Sequence, residues 1–356
     1  MQRFFSKGMK TMNNNRVMIT GATGFIGSHI TRCFCENQVK VGCLIRKESS
    51  LVNIEGLDVE LKTGDLRNIE ELTRAFRGYD WVIHNAAKVA DWGNYEEFYQ
   101  TNVVGTVNVL IACLQAGIKN VLLTGSNSVY GEENSFSVKD EESPYQSHYP
   151  YFGDFLFPCK LNYYRDTKAL AKEAALLFAA KHGLNLTILE PVWVYGEREF
   201  NTGFYEYLKT AKSGIPFVPG RKENKFHVIY AGDLARAFFL AYLKQLPGIH
   251  TFLIGNERPE SMDAIYRLFC SEAGLKKPGN LPKPLIYPLA FMMELFFTLA
   301  RAKKPPLLTR GRVNMFYDNI EFSVEKAREI LGFRNSFTLE EGVRRTVFWY
   351  KEKGLI

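Results

Sequence analysis

The 356-residue chain sets 45 Lys and Arg against 38 Asp and Glu, a formal net charge of +7, and is 46% hydrophobic and 14% aromatic. That balance belongs to a folded protein with ample apolar mass and excludes a disordered or fibrous chain. The positive excess is modest and scattered, so nucleic acid is not implied. The length suits one large domain or a nucleotide domain with a smaller companion, because single cores rarely grow beyond ~250–300 residues.

Residues 1–15 are polar and basic with no apolar run of signal-peptide length, so export is not expected. We read 1–12 as an unstructured start and the protein as cytoplasmic. Residues 16–20 (RVMIT) read as a strand, 21–27 as a glycine-rich break and 26–37 as a helix. The pattern recurs with strands at 40–45, 59–62, 81–84, 121–125 and 186–189, separated by helices at 69–77, 95–116 and 163–182. Strands alternating with helices of that length predict an α/β fold, a Rossmann-type doubly wound parallel sheet. After Pro191 the rhythm loosens and returns at 226–230 and 251–254. The expected division is a dinucleotide-binding domain over 13–190, with 226–256 returning to it, and a smaller mixed substrate region over 191–225 and 257–356. The final segment, 325–353, reads as two short helices around Gly332, with Ser323 and Thr338 as N-caps.

The six cysteines, Cys33, Cys35, Cys43, Cys113, Cys159 and Cys270, form no CxxC pair. They read as reduced core residues rather than metal ligands.

The break at 20–27 is TGATGFIG, with a mechanical task for each glycine. Gly21 makes the tight turn, Gly24 lets backbone approach a pyrophosphate, and Gly27 allows close helix–strand packing. Gly21, Thr23, Gly24, Phe25, Ile26 and Gly27 are therefore cofactor-binding candidates. At the end of the second strand, where an Asp or Glu would accept the ribose hydroxyls of NAD, the chain offers Arg46. Its planar fork can bind a 2′-phosphate, which favours NADP and leaves NAD possible; a solvated surface arginine is the plainer alternative. Asp65, with Leu66 beside it, could accept an adenine amino group or cap the next helix.

Tyr164 and Lys168, four residues apart in a helical stretch, project from one face. A tyrosine is a poor base at neutral pH, and a nearby ammonium lowers the cost of its phenolate. YxxxK alone proves little, and Tyr205–Lys209 repeats it. Order separates the two: the strand at 121–125 delivers Ser126 at its carboxyl end, with Ser128 as a nearby rival, and Tyr164 lies on the next long helix. Active residues belong at the carboxyl ends of such strands. Tyr205 reads as a lining or core aromatic.

Together these residues resemble the extended short-chain dehydrogenase/reductase superfamily, the NAD-dependent epimerase/dehydratase type. The matching pieces are TGATGFIG at 20–27, GDL at 64–66, HNAA at 84–87, NVVGT at 102–106, SNSVYG at 126–131, YRDTK at 164–168, PVWVYG at 191–196 and KAREILGF at 326–333. Within it, 44–46, 86–106 and 305–310 are most similar to the 3β-hydroxysteroid dehydrogenase and dihydroflavonol-reductase-like branch. The resemblance implies a Ser126, Tyr164, Lys168 triad. It also implies a cofactor site lined by the glycine turn, Arg46, Asp65, Leu66, Ala86, Ala87, Lys168, Pro191 and Val194, and a homodimer formed through 95–116 and 163–182. The chain departs from the family in three places. Gly125 and Asn127 flank Ser126 where hydroxyl residues are common, Glu190 stands where an Arg is expected, and a long segment, 132–162, precedes Tyr164.

Aromatics at Trp92, Tyr145, Tyr149, Tyr151, Phe152, Phe155, Phe157, Trp193, Phe200 and Phe204 are candidates for lining an apolar pocket, with core packing as the alternative for each. They favour a steroid-like, keto-lipid or flavonoid-like alcohol or ketone. Phe226 stands where sugar-nucleotide members carry a diphosphate-binding Arg, so a nucleotide-sugar epimerase or dehydratase is the second reading. A non-catalytic dinucleotide sensor is the third. The apolar stretch 285–300 is too short to span a bilayer. With the cations up to 304 it reads first as a lid or packing helix and second as a peripheral membrane contact.

Overall fold

The computed structural model describes residues 15–131, 137–199 and 203–356. The expected unstructured start at 1–12, residues 132–136 of the segment before Tyr164, and Phe200 lie outside the described residues. The first half alternates β1 (Arg16–Thr20), α1 (Phe25–Glu36), β2 (Lys40–Ile45), β3 (Val59–Thr63), α2 (Ile69–Phe76) and β4 (Trp81–His84). A longer helical run then passes through α3 (Tyr95–Phe98), a π-helical turn (Tyr99–Val104) and α4 (Gly105–Gln115). After it come β5 (Asn120–Thr124), α5 (Lys160–His182) and β6 (Asn185–Pro191).

Seven strands form one sheet in the order β11-β6-β5-β4-β1-β2-β3, where β11 is Ile249–Ile254. Every pairing in it is parallel. This is the doubly wound Rossmann-type order, in which the chain reverses direction beside β1 and opens a crevice at the strands' carboxyl ends. Val17, Met18 and Ile19 in β1 are all fully buried, as are Val82 and Ile83 in β4. A parallel sheet covered on both faces needs apolar residues without alternation.

Between β6 and β11 lie β7 (Trp193–Tyr195), α6 (Gly203–Lys212), β8 (Phe217–Pro219), β9 (Lys225–Phe226), β10 (Val228–Tyr230) and α7 (Ala231–Lys244). Of the two returning segments, only 249–254 joins the large sheet. Val228–Tyr230 pairs instead with Trp193–Tyr195, extending the path of β6 beyond the sheet's carboxyl edge. The remainder holds α8 (Met262–Ala273), α9 (Lys283–Leu299), α10 (Arg310–Met315) and α11 (Leu339–Glu352). Thr338 caps α11 in a full capping box with Glu341, and the Ser323 hydroxyl accepts from Glu325 N at 3.4 Å.

One buried ion pair fixes α9. The Arg310 guanidinium and Glu294 carboxylate, 0% and 1% exposed, are joined by Nε–Oε2 and Nη2–Oε1 contacts at 2.9 and 3.0 Å. Arg310 also donates to the Phe152 and Phe157 carbonyls at 2.7 and 2.9 Å, tying α9, α10 and the loop before α5 into one unit. Removing one member of such a pair strands the other in the interior. We expect Glu294→Ala to lower stability by about 3–5 kcal/mol, read from the urea midpoint; a loss under about 1 kcal/mol would contradict this account of the pair.

Candidate functional site

The turn after β1 is shaped by absent side chains. Gly21 has φ of +69°, and a Cβ there would meet the Ala86 backbone at 2.8 Å. A Cβ on Gly27 would lie 2.0 Å from the Gly21 carbonyl oxygen, so α1 can run this close to β1 only with glycine at 27. Gly24 is the N-cap of α1 and offers no side chain to its first amides; the first turn also lacks an acidic residue. By contrast, α2, α8 and α11 are capped by Asn68, Ser261 and Thr338. The amides of α1 are thus left to an anion at the positive end of the helix dipole, which fits a pyrophosphate. Asn53 Nδ2 braces the turn by donating to the Thr23 carbonyl at 3.0 Å, and the Phe25 ring packs edge-on to His29.

Arg46 is exposed directly after β2. Asp65, at the end of β3, is already engaged: Arg67 donates to its two oxygens at 3.0 and 2.7 Å. Hydrogen bonding from Arg67 holds the Asp65 carboxyl down at about 2, with the Arg46 charge acting the same way. The expectation that Asp65 might cap the next helix is corrected. Asn68 stands immediately before α2 and accepts from Glu71 N at 3.1 Å, whereas Asp65 lies three residues too early. The Leu66 carbonyl accepts from Asn108 Nδ2 at 2.8 Å, and Ala86 N donates to Thr20 Oγ1 at 3.2 Å, with Ala87 half-buried beside it. Pro191 is buried at the end of β6, and Val194 pairs with Ile229 in the short β7–β10 ladder.

Lys168 is buried, and its Nζ donates to the Thr124 carbonyl at 2.7 Å, fastening α5 to the carboxyl end of β5. Burial lowers the Lys168 ammonium to about 8, while the Glu190 carboxylate works against that fall. Ser126 follows two residues after Thr124 and caps the turn Asn127–Tyr130; its Oγ lies 2.8 Å from Ser128 Oγ. The rival serine is therefore its hydrogen-bond partner. Tyr164, half-buried, sits one turn before Lys168 on α5. The second YxxxK has a different setting: Tyr205 packs on Tyr350, and Lys209 pairs with Glu206.

Three supports escaped the sequence reading. The expected single helix over 95–116 contains the π-helical turn, which carries Asn102, the first residue of NVVGT. Asn102 accepts from Lys88 N at 2.7 Å and donates to Lys88 O at 3.2 Å and to Thr167 Oγ1 at 3.1 Å. It thereby ties the loop after β4 to the helix of Tyr164. His84 joins Thr20 Oγ1 at 2.7 Å and Thr106 Oγ1 at 3.1 Å. Burial, with the Lys168 charge acting in the same direction, lowers its pKa to about 3, so it is a neutral brace.

The third support accounts for Gly125 and Glu190 together. Glu190, 0% exposed, pairs with Lys172 Nζ at 3.0 Å and accepts from Tyr130 OH at 2.7 Å, while Lys172 donates to Tyr130 OH at 2.6 Å. Burial raises the Glu190 carboxyl, and Lys172 and Tyr130 oppose that rise. A Cβ at Gly125 would stand 2.5 Å from Glu190 Cγ. Glycine at 125 and glutamate at 190 are thus one feature, with Lys172 supplying the countercharge.

The aromatic candidates divide. Trp92 is buried and donates to the Ala302 carbonyl at 2.8 Å; Tyr151 and Phe157 are buried; Phe204 stacks on Phe269 with centroids 4.4 Å apart. These four serve packing, which aromatic counts cannot distinguish from lining. Phe152 and Phe155 instead point outward, 71% and 89% exposed. Tyr145 and Tyr149 border an open cleft with Ser147 and His148. Phe226 is buried against Trp193, and nearby Arg221 and Lys225 are held by Asn319 and Glu321.

The NAD dependent epimerase/dehydratase family matches residues 17–255. The chain is 28% identical to a 2-alkyl-3-oxoalkanoate reductase of Stenotrophomonas maltophilia, the match covering 93% of this chain and 98% of that one. It is 25% identical to 3beta-hydroxysteroid-dehydrogenase/decarboxylase isoform 1 of Arabidopsis thaliana, covering 93% and 78%. Among solved structures, that of gox2253 superposes with a TM-score of 0.76 at 26% identity, covering 96% and 100%.

If Gly125 and Glu190 share one space, substitutions there are coupled. Gly125→Ala should cost about 1–3 kcal/mol alone and measurably less in a Glu190→Ala background, where the Ile188 methyl, 2.9 Å from the new Cβ, still crowds it. Additive losses across that cycle would separate the two residues.

Proposed function

The chain belongs to the NAD-dependent epimerase/dehydratase family of the extended short-chain dehydrogenase/reductase superfamily, and on that premise we propose that it interconverts a secondary alcohol and a ketone on an apolar substrate. The proposed acting residues are Ser126, Tyr164 and Lys168, and the preferred dinucleotide is NADP. The observation that carries the reading is the buried Lys168 ammonium, held at the carboxyl end of β5 one turn from Tyr164 and two residues' reach from Ser126.

The uncapped start of α1, bounded by Gly21, Gly24 and Gly27, suits the pyrophosphate of the dinucleotide, and Arg46 a 2′-phosphate. When bound, the dinucleotide supplies the donor or acceptor of hydride. The chain's own part is the proton. At neutral pH Lys168 is mainly an ammonium, which favours the Tyr164 phenolate and lets its oxygen exchange a proton with the substrate oxygen. The Ser126 hydroxyl, oriented by Ser128, hydrogen-bonds that substrate oxygen.

The similarity to a 2-alkyl-3-oxoalkanoate reductase and to a hydroxysteroid dehydrogenase supports a keto-lipid or steroid-like substrate. Buried Phe226 and the engaged Arg221 and Lys225 weigh against a sugar diphosphate.

With a hydrophobic ketone and reduced dinucleotide, Tyr164→Phe should cut kcat by about 10²–10⁴-fold while dinucleotide affinity is preserved. Full turnover in that variant would remove Tyr164 from its role. No net cofactor consumption, together with copurified dinucleotide and uridine diphosphate-sugar binding, would support epimerisation instead. Arg46→Ala should erode the preference for NADPH over NADH by about 10–100-fold in kcat/KM, the worth of a charged hydrogen bond; an unchanged ratio would make Arg46 a bystander.

A further inference from the structure

Helix α9 buries one face and leaves the other bare. Ile286, Ala290 and Glu294 point inward, four residues apart. Opposite them, Leu285, Leu289, Met292, Phe296 and Leu299 are 68%, 51%, 58%, 68% and 74% exposed. Their spacing of four, three, four and three keeps all five in one stripe along the helix. The stripe continues onto the loop before α5: Phe152 packs on Phe291 with centroids 5.3 Å apart, and Phe152, Phe155 and Leu156 are each more than 70% exposed. Scattered exposed apolar residues are ordinary, whereas a contiguous patch of this extent marks a contact surface.

Charge decides what covers it. Arg301, Lys303 and Lys304 follow the helix, all exposed. Glu294, the one carboxylate in 283–309, is buried and paired with Arg310. Arg301 also has φ of +51° at the position after the helix end, where glycine is the usual residue and a side chain costs about 1–2 kcal/mol. A basic side chain thus stands where the backbone disfavours one. Lys283, at the other end of the helix, is paired with Asp318 at 3.6 Å, so the unanswered charge is that of Arg301, Lys303 and Lys304, and the bare face of α9 offers no carboxylate by which a second copy could meet it. An anionic lipid surface answers them all. Among the described residues no helix is long and apolar enough to cross a membrane, so the contact is peripheral.

We infer that the outer face of α9, with the 152–156 tip and Arg301, Lys303 and Lys304, docks on an anionic phospholipid bilayer, the helix lying in the plane of the headgroups. The same unit adjoins the proposed site. Trp92, on the loop after β4, bonds the Ala302 carbonyl, and Lys160 at the start of α5 lies 3.8 Å from the Trp92 ring centre. Docking rests on the stripe and its charges alone. Its use to collect substrate from the bilayer rests on the apolar-substrate reading given above.

The test is sedimentation of the full chain with vesicles of phosphatidylcholine, alone or mixed two to one with phosphatidylglycerol. The mixed vesicles should carry the protein down and the neutral ones should not. Arg301→Gln, Lys303→Gln and Lys304→Gln together should weaken binding on the order of 100-fold. Phe296→Ser with Leu299→Ser should weaken it at least about tenfold, with the thermal midpoint unchanged because both side chains already face solvent. Equal recovery with both vesicles, or full binding by either variant, overturns the proposal. So does a change of oligomeric state in the Phe296/Leu299 variant by sedimentation velocity, which would assign the stripe to a second copy. Turnover of a water-soluble ketone separates the two ideas: retained turnover with failed docking sinks only this inference, and docking without any turnover sinks only the proposed chemistry.

Discussion

The hydrogen bond from the Lys168 ammonium to the Thr124 carbonyl sets the position of the residues in the candidate site. A carbonyl at the end of a parallel strand has no further ladder partner there, and a buried cation needs an acceptor. Joining the two brings the long helix α5 against the sheet's carboxyl edge at one register. Tyr164 follows from that register, since it rides one turn earlier on the same rigid helix. Ser126 follows from the strand. The remaining cost of burying a positive charge is offset by a negative one below it, Glu190, which is itself balanced by Lys172 and steadied by the Tyr130 hydroxyl.

Around that anchor the strand ends are laced together by further buried polar side chains. His84 spans β1 and α4, and Asn102 spans the loop after β4 and α5. Each is buried with its hydrogen-bonding groups engaged, the condition under which polar interior groups rigidify rather than destabilise. Asn102 sits in a local widening of the helix, and π turns of this kind recur near functional sites.

Much of the sheet and of the glycine turn was legible because both are written in local chemistry. Unbroken apolar runs mark strands buried on two faces, and TGATGFIG permits few backbone paths. The Tyr164–Lys168 pair was singled out through order along the chain, not through spacing, which Tyr205–Lys209 shares. What stayed hidden depends on contacts between distant segments. Nothing near Gly125 announces that Glu190 fills the space where its side chain would be. The roles of the aromatics were similarly opaque: Phe204 and Phe155 look alike in sequence, yet one stacks inside the core and the other is almost fully in solvent. Helix α9 fell between two readings because its sequence is apolar all round, whereas the fold buries one face and leaves the other exposed.

The overlap of positions 125 and 190 limits which substitutions the chain can accept there. Two residues that claim one volume cannot be exchanged in sequence without passing through a strained or hollow intermediate. A hydroxyl residue at 125 would crowd the acid at 190, and without that acid the ammonium at 172 would lose its countercharge. The three positions therefore form one buried electrostatic unit.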